Sequence, residues 1–134
     1  MLISRLLKES DYDNLLNWWR FWKWENPPTK EILPQNGVGG IMVTNKGIDI
    51  CAGFLYTTNS KIAWMEFIVA NPEYKEKDRK EAKRILVNDI CHIAKELGFT
   101  SIFTCVQDQF LIKVLQDCGF SSDKPKSVEM AKRL

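Results

Sequence analysis

Two adjoining stretches of this chain carry residue types that could do chemistry. The first holds a lone carboxylate: Glu66 interrupts the apolar run Ala63-Trp64-Met65-Glu66-Phe67-Ile68-Val69. Burying an unpaired charge is costly, so a carboxylate in such a run needs a reason. If partly buried, its pKa rises toward the range in which a general base works. The competing reading puts Glu66 on the polar face of a strand, alternating with Met65 and Phe67. The second stretch, Pro72-Glu73-Tyr74-Lys75-Glu76-Lys77-Asp78-Arg79-Lys80, reads as a loop running into a helix. A strand, a short loop and a helix opening with bare N–H groups make a cradle for an anion such as phosphate. Cradles of this kind usually carry glycines, which let the backbone approach closely. This one has none. Lys75, Lys77, Arg79 and Lys80 offer charge-assisted donors instead, while Asp78 is placed to cap the helix and to compete for the same N–H groups. The bland alternative is a solvated helix start laced with opposite charges.

The elements that must position these residues are legible as alternating patterns. The 134 residues suit one domain, spanning 1–134, with one core. Residues 2–7 suit a strand, and 9–24 a helix whose buried stripe is Tyr12, Leu15, Leu16, Trp19 and Trp22, opened by a capping box of Ser10 and Asp13. A proline-broken loop follows. Three strands then form a meander, 38–44, 48–58 and 62–70, with Asn45-Lys46-Gly47 as the first turn. A helix over 79–97 shows the stripe Ala82, Ile85, Leu86, Ile90, Ile93, Ala94 and Leu97, with Gly98 closing it. A strand at 100–106, a helix ending at Gly119 and a weak strand over 127–134 complete the order β-α-βββ-α-β-α-β. That is a mixed α/β sheet with helices on its faces.

Several function classes fall away. A net charge of +2 provides no basic patch for nucleic acid, although Arg20 and Lys23 between aromatics have a base-stacking texture. Cys51, Cys91, Cys105 and Cys118 lie far apart with no CxxC, and read as buried free thiols in a reducing compartment. The single histidine, His92, sits at the edge of a helix stripe, so no metal site is expected. No apolar run approaches the ~20 residues of a membrane span, and the N-terminus has no signal-peptide core. A cytoplasmic protein is expected.

The order of elements, with these residues in it, resembles the GNAT (GCN5-related) N-acetyltransferases. "FIVANPEYKEKDRKEAKRIL" looks like that family's strand, pyrophosphate loop and helix, V-x-P-x-[YW]-R-x-x-G-x-G, with Val69, Pro72 and Tyr74 matching and Lys75 where Arg is usual. "LGFTSIFTCV" looks like the next strand and "LIKVLQDCGF" the next helix. The Trp-rich segment, "LPQNGVGG" and "CAGFLY" also resemble small, phage-encoded members, which would place the protein in a host cytoplasm. The resemblance implies an acyl-CoA such as acetyl-CoA as co-substrate and an amine on a small molecule or protein as acceptor. It implies Glu66 as general base, and a backbone N–H among Ile68, Val69 and Ala70 polarising the thioester. It also implies Lys75, Lys77, Asp78, Arg79 and Lys80 at the pyrophosphate. The off-stripe aromatics Trp18, Phe21 and Trp24 would border the acceptor site, or else cover the sheet edge or form a protein interface. Three positions, in two places, depart from the family. Asp78 and Lys80 replace the loop glycines, and Leu115 stands where a tyrosine commonly protonates the departing thiolate. Asp108 matches a usual Asn, and Cys105 is a substitute acid. These departures also fit a second expectation, a non-catalytic relative using its Trp-rich first helix as a binding surface. A V-shaped gap between the fourth and fifth strands would favour the enzyme, a closed sheet the binder. The surplus aromatics and C-terminal strand leave room for a homodimer.

Overall fold

A computed structural model of the chain describes residues 1–122 and 127–134. Five strands form one mixed sheet in sequential order: β1 (Leu2–Leu6), β2 (Gly40–Asn45), β3 (Ile48–Tyr56), β4 (Ile62–Ala70) and β5 (Ser101–Phe103). Neighbours from β1 to β4 are antiparallel, and β5 joins β4 in parallel. Helix α1 (Tyr12–Phe21) packs on one face; α2 (Arg79–Glu96) and α3 (Gln109–Asp117) pack on the other. The expected strand over 127–134 is absent; those residues are exposed and irregular. The tight turn between β2 and β3 is Lys46-Gly47, both at positive φ (52° and 78°), the conformation that matches the twist of a hairpin.

The core lies in two halves, one on each side of the sheet. Ala82, Leu86, Val87 and Ile90 of α2, with Val114 and Leu115 of α3, close over Ile41, Val43, Cys51 and Met65. On the other side Trp19 is fully buried between Tyr12, Trp24, Phe54 and Phe67, with ring centroids 6.1–6.4 Å away. Its stripe differs from expectation. Trp18, not Trp22, is buried, at 8 % exposure against 50 %. The helical stretch is shorter than 9–24. A single 3-10 turn (Glu9–Asp11) precedes α1, and the chain reverses at Lys23. The Ser10–Asp13 capping box does not form; the Asp11 carboxylate accepts the Lys8 N–H at 2.9 Å instead.

All three helices end in the same reversal. In α2, Gly98 at φ 97° lets its N–H donate to Lys95 and that of Phe99 to Ala94; Gly119 does likewise after α3. In α1 the same place is held by Lys23 at φ 67°, with its N–H on the Arg20 carbonyl and that of Trp24 on Trp19. The Trp19–Trp24 ring contact is the apolar clasp that accompanies this motif. A side chain in the left-handed region is strained by roughly 1 kcal/mol or more. Lys23→Gly should therefore raise stability by about 0.5–1 kcal/mol, read as a higher urea midpoint at unchanged m-value.

Among the described residues Asp11 is the one buried charge, 3 % exposed. Arg5 donates to both its oxygens at 2.8 and 2.9 Å and reaches Asp49 at 3.2 Å. Burial pushes the carboxyl pKa up, but the Arg5 bonds and the Lys8 N–H outweigh it and hold it below the usual range. The folded value is thus below the unfolded one. The stabilisation is complete above the unfolded pKa and is lost as pH falls through the folded value. Asp11→Asn should cost about 2–3 kcal/mol at neutral pH, less than a fully buried pair because Arg5 is partly exposed. The gap from wild type should close on acidification below about pH 4.

Candidate active site

The site begins with an irregularity in β4. Ala52 pairs with Val69 and Phe54 with Glu66, so Phe67 and Ile68 together oppose the single residue Gly53. This is a β-bulge, with Phe67 at φ 59°. A Cβ on Gly53 would stand 3.0 Å from Ile68 Cγ1 and 3.2 Å from Ile90 Cδ1, so any larger residue there would press on both side chains. Beyond Trp64 and Phe103 the parallel ladder between β4 and β5 stops, while β4 continues to Ala70. The two strands part, and the second half of β4 has an open edge. This is why β5 is three residues long rather than the expected seven.

Glu66 stands where the strands separate. It is half-buried, and one oxygen accepts the Cys105 N–H at 2.8 Å and the Thr104 hydroxyl at 3.2 Å. Burial pushes its pKa above the ordinary carboxyl range, and nearby Glu129 adds to the push; the bonds from Cys105 and Thr104 only partly offset it. Both sequence readings hold in part: the residue lies on the face opposite Met65, and that face is not fully solvated. Aromatic rings border the carboxylate on the same face. Tyr56 pairs with Trp64 across β3 and β4, and Trp64 lies 5.2 Å from Phe103, centroid to centroid. These three were not singled out from the sequence. Trp64 was accessible to a simple argument, since it lies two residues before Glu66 on one strand; Tyr56 and Phe103 needed the register.

The expected acceptor aromatics divide. Trp18 is buried beneath α1, because the helix is rotated to bring it and Trp19 inward. Phe21 and Trp24 are exposed, Trp24 resting on Phe67 at 6.0 Å. Trp22, expected in the core, instead reaches β4: its indole N–H donates to the Ala70 carbonyl at 2.8 Å.

The loop after β4 gives Asp78 partners other than the helix N–H groups. Its carboxylate does not cap α2. It accepts the Tyr74 hydroxyl at 2.6 Å and the Asn45 amide at 3.0 Å. The hydroxyl is held above the ordinary phenol range by that carboxylate first of all. The N–H groups of residues 75–78, and of Lys80 and Glu81 in the first turn of α2, find no acceptor among the described residues. Lys75, Lys77, Arg79 and Lys80 are exposed and take part in none of the described ion pairs. Two before Pro72 stands Ala70, so Ala70 rather than Val69 holds the valine place of the loop pattern; Val69 turns into the core under α1.

Leu115 is buried against α2 and the sheet, so no hydroxyl replaces the tyrosine there. Asp108 caps α3 by accepting the Phe110 N–H at 3.2 Å. Cys105 is exposed rather than buried, and its thiol is pushed up by partial desolvation and by Glu66. The other three cysteines are also free, only Cys51 fully buried. His92 is a surface residue near Glu96. Among the described residues no His, Cys, Asp and Glu cluster fits a metal, and no helix is long and apolar enough to cross a membrane. Two shallow surface depressions lie away from the strand gap, one around Arg5 and Asp11, the other between the Lys46 turn and the loop at 74–78.

Solved structures of GNAT acetyltransferases superpose on this chain and its mixed sheet. A Trypanosoma brucei acetyltransferase aligns at a TM-score of 0.65 and 16% identity over 98% of this chain and 100% of its own. An aminoglycoside N-acetyltransferase in complex with CoA aligns at 0.67 and 16%, over 100% and 96%. N-acetylglutamate synthase of Neisseria gonorrhoeae, complexed with coenzyme A and L-arginine, aligns at 0.71 and 12% over 93% of this chain but only 29% of its own. No family model matches the sequence, and no curated protein does. The chain has the GNAT acetyltransferase fold. The arrangement around Asp78 makes a direct prediction: Tyr74→Phe should cost about 0.5–1.5 kcal/mol in urea unfolding, the net worth of one part-buried hydrogen bond.

Proposed function

We propose that the protein transfers an acyl group, acetyl in the simplest case, from acyl-CoA to a primary amine. The observation that carries this is the open edge of β4, set between a half-buried Glu66 and a loop of unpaired N–H groups. Attack on a thioester needs a neutral amine and a polarised carbonyl. Glu66, with its raised pKa, accepts the amine's proton, directly or through water. An N–H of the Ile68–Ala70 segment stabilises the oxygen as charge develops on it. The unpaired N–H groups of the loop and α2, flanked by Lys75, Lys77, Arg79 and Lys80, hold the pyrophosphate. Asp78, being tied to Tyr74 and Asn45, leaves those donors free. The leaving thiolate needs little help: an alkyl thiol has a pKa of about 8.5, so it departs as an anion and is protonated by solvent, the Cys105 thiol being the weaker acid because its pKa is pushed up. Several solved neighbours are bound to coenzyme A, which supports the co-substrate.

Calorimetric titration tests the reading. Acetyl-CoA and free CoA should bind with micromolar affinity, Glu66→Gln should bind equally well, and kcat on an amine panel should fall about 10²–10⁴-fold in that variant. For wild type, kcat/KM should rise with pH through a pKa above the ordinary carboxyl range, and that limb should vanish in Glu66→Gln. Absence of CoA binding by the wild type would sink the proposal.

A further inference from the structure

The open edge of β4 is not bare. Along an antiparallel strand, successive residues turn their N–H and C=O groups to alternate sides. The Asn71 N–H donates to the Ile50 carbonyl of β3 at 2.7 Å. The N–H and C=O of Ala70 therefore point away from β3, toward the gap left by β5. It is this carbonyl that the Trp22 indole N–H holds at 2.8 Å. Trp22 has none of the marks of a packing residue. Half of it is exposed, it belongs to neither core cluster, and its one described ring neighbour is Phe21, itself exposed, at 5.0 Å. The reversal at Lys23 carries it there: Trp22 is the last residue before the strained φ, and its backbone is fixed by a bond to Trp18.

We propose that Trp22 is a removable occupant of the β4 edge, holding the acceptor that the amide-bearing arm of an acyl-CoA must use. An extended chain with secondary amides pairs with an open strand edge much as another strand does, through N–H to C=O bonds. Trp22 supplies one such N–H from within the chain, and its ring covers the same stretch of edge. Cofactor binding and the Trp22–Ala70 bond then exclude each other, and apparent affinity falls by the fraction of molecules in which the edge is covered. This deepens the acyl-CoA reading and rests on it. The role is that of a gate residue that sets affinity, with no part in the acyl transfer step.

The test compares wild type, Trp22→Phe and Trp22→Ala by titration with CoA, and follows the indole N–H resonances by NMR. The Trp22 signal is assigned by its loss in Trp22→Phe; unchanged signals from Trp18, Trp19, Trp24 and Trp64 confirm that the fold is kept. Expected are about 2- to 10-fold tighter CoA binding in Trp22→Phe, the range set by one hydrogen bond, at least as much in Trp22→Ala, and loss of the hydrogen-bonded position of the wild-type Trp22 signal on saturation. Equal affinities, with the Trp22 signal unmoved by CoA, would overturn the gate and leave the acyl-CoA reading standing. Weaker binding by the variants would also overturn it, making Trp22 a ligand contact. If neither wild type nor variants bind CoA, both the gate and the reading beneath it fail.

Discussion

The extra residue in β4 is the constraint on which the site depends. Placing Phe67 and Ile68 opposite Gly53 does three things at once. It shifts the alternation of the strand, so that Met65 faces α2 while Val69 faces α1. It bends β4 away from β5 and opens the edge that runs to Ala70. It leaves Glu66 at the fork, where backbone N–H and hydroxyl groups of the departing strand satisfy a carboxylate that would otherwise be buried alone. A strained Phe67 is tolerated because its ring is locked among Trp19, Trp24 and Tyr56. Backbone strain and aromatic packing are two sides of one arrangement.

The aromatic cluster also explains α1. With Lys23 where the other two helices have glycine, the reversal after α1 is held by its clasp more than by its backbone preference. The loop that follows is pinned by two phenol bonds, to α1 by Tyr12 donating to the Pro28 carbonyl at 2.7 Å and to the sheet by Tyr56 donating to that of Ile32 at 2.9 Å. Trp24 and Phe67 meet between them, so the loop that borders the gap is tied to the bulge that creates it.

The elements were largely legible in the sequence because hydrophobic period reports burial, and burial is what the sheet and α2 share. The limits appear where one residue has two ways to be satisfied. Trp22 continues a 3–4 spacing from Trp19 and so reads as core, but the helix ends before it and its indole finds a carbonyl 48 positions away in sequence. Asp78 has the type and place of a helix cap, yet a longer-range partner, Asn45 from the β2–β3 turn, wins its carboxylate. Cys105 sits in an apolar run but beyond the point where β5 leaves the sheet, so it is exposed. In each case the local pattern was silent about the long-range contact, and for Trp22 and Cys105 it also ran the element too far, since α1 ends at Phe21 and β5 at Phe103. The bulge itself was invisible, since nothing in the alternation of Phe67, Ile68 and Val69 marks which residue is extra.

The loss of loop glycines need not mean the loss of an anion site. Glycine helps such a loop by allowing strained backbone and close approach. In this loop no residue from 72 to 80 has a positive φ, so that backbone freedom is not called on. What remains to be supplied is a set of free donors and a favourable potential. The Asp78 carboxylate is occupied by Tyr74 and Asn45, so it does not consume the donors, and Lys75, Lys77, Arg79 and Lys80, which no described ion pair neutralises, face Glu73, Glu76 and Glu81 in the same stretch. Here the tyrosine of the loop pattern acts as the keeper of Asp78. On the acyl-CoA reading, a change that looks disabling in the motif is answered by a residue four positions earlier in the same loop.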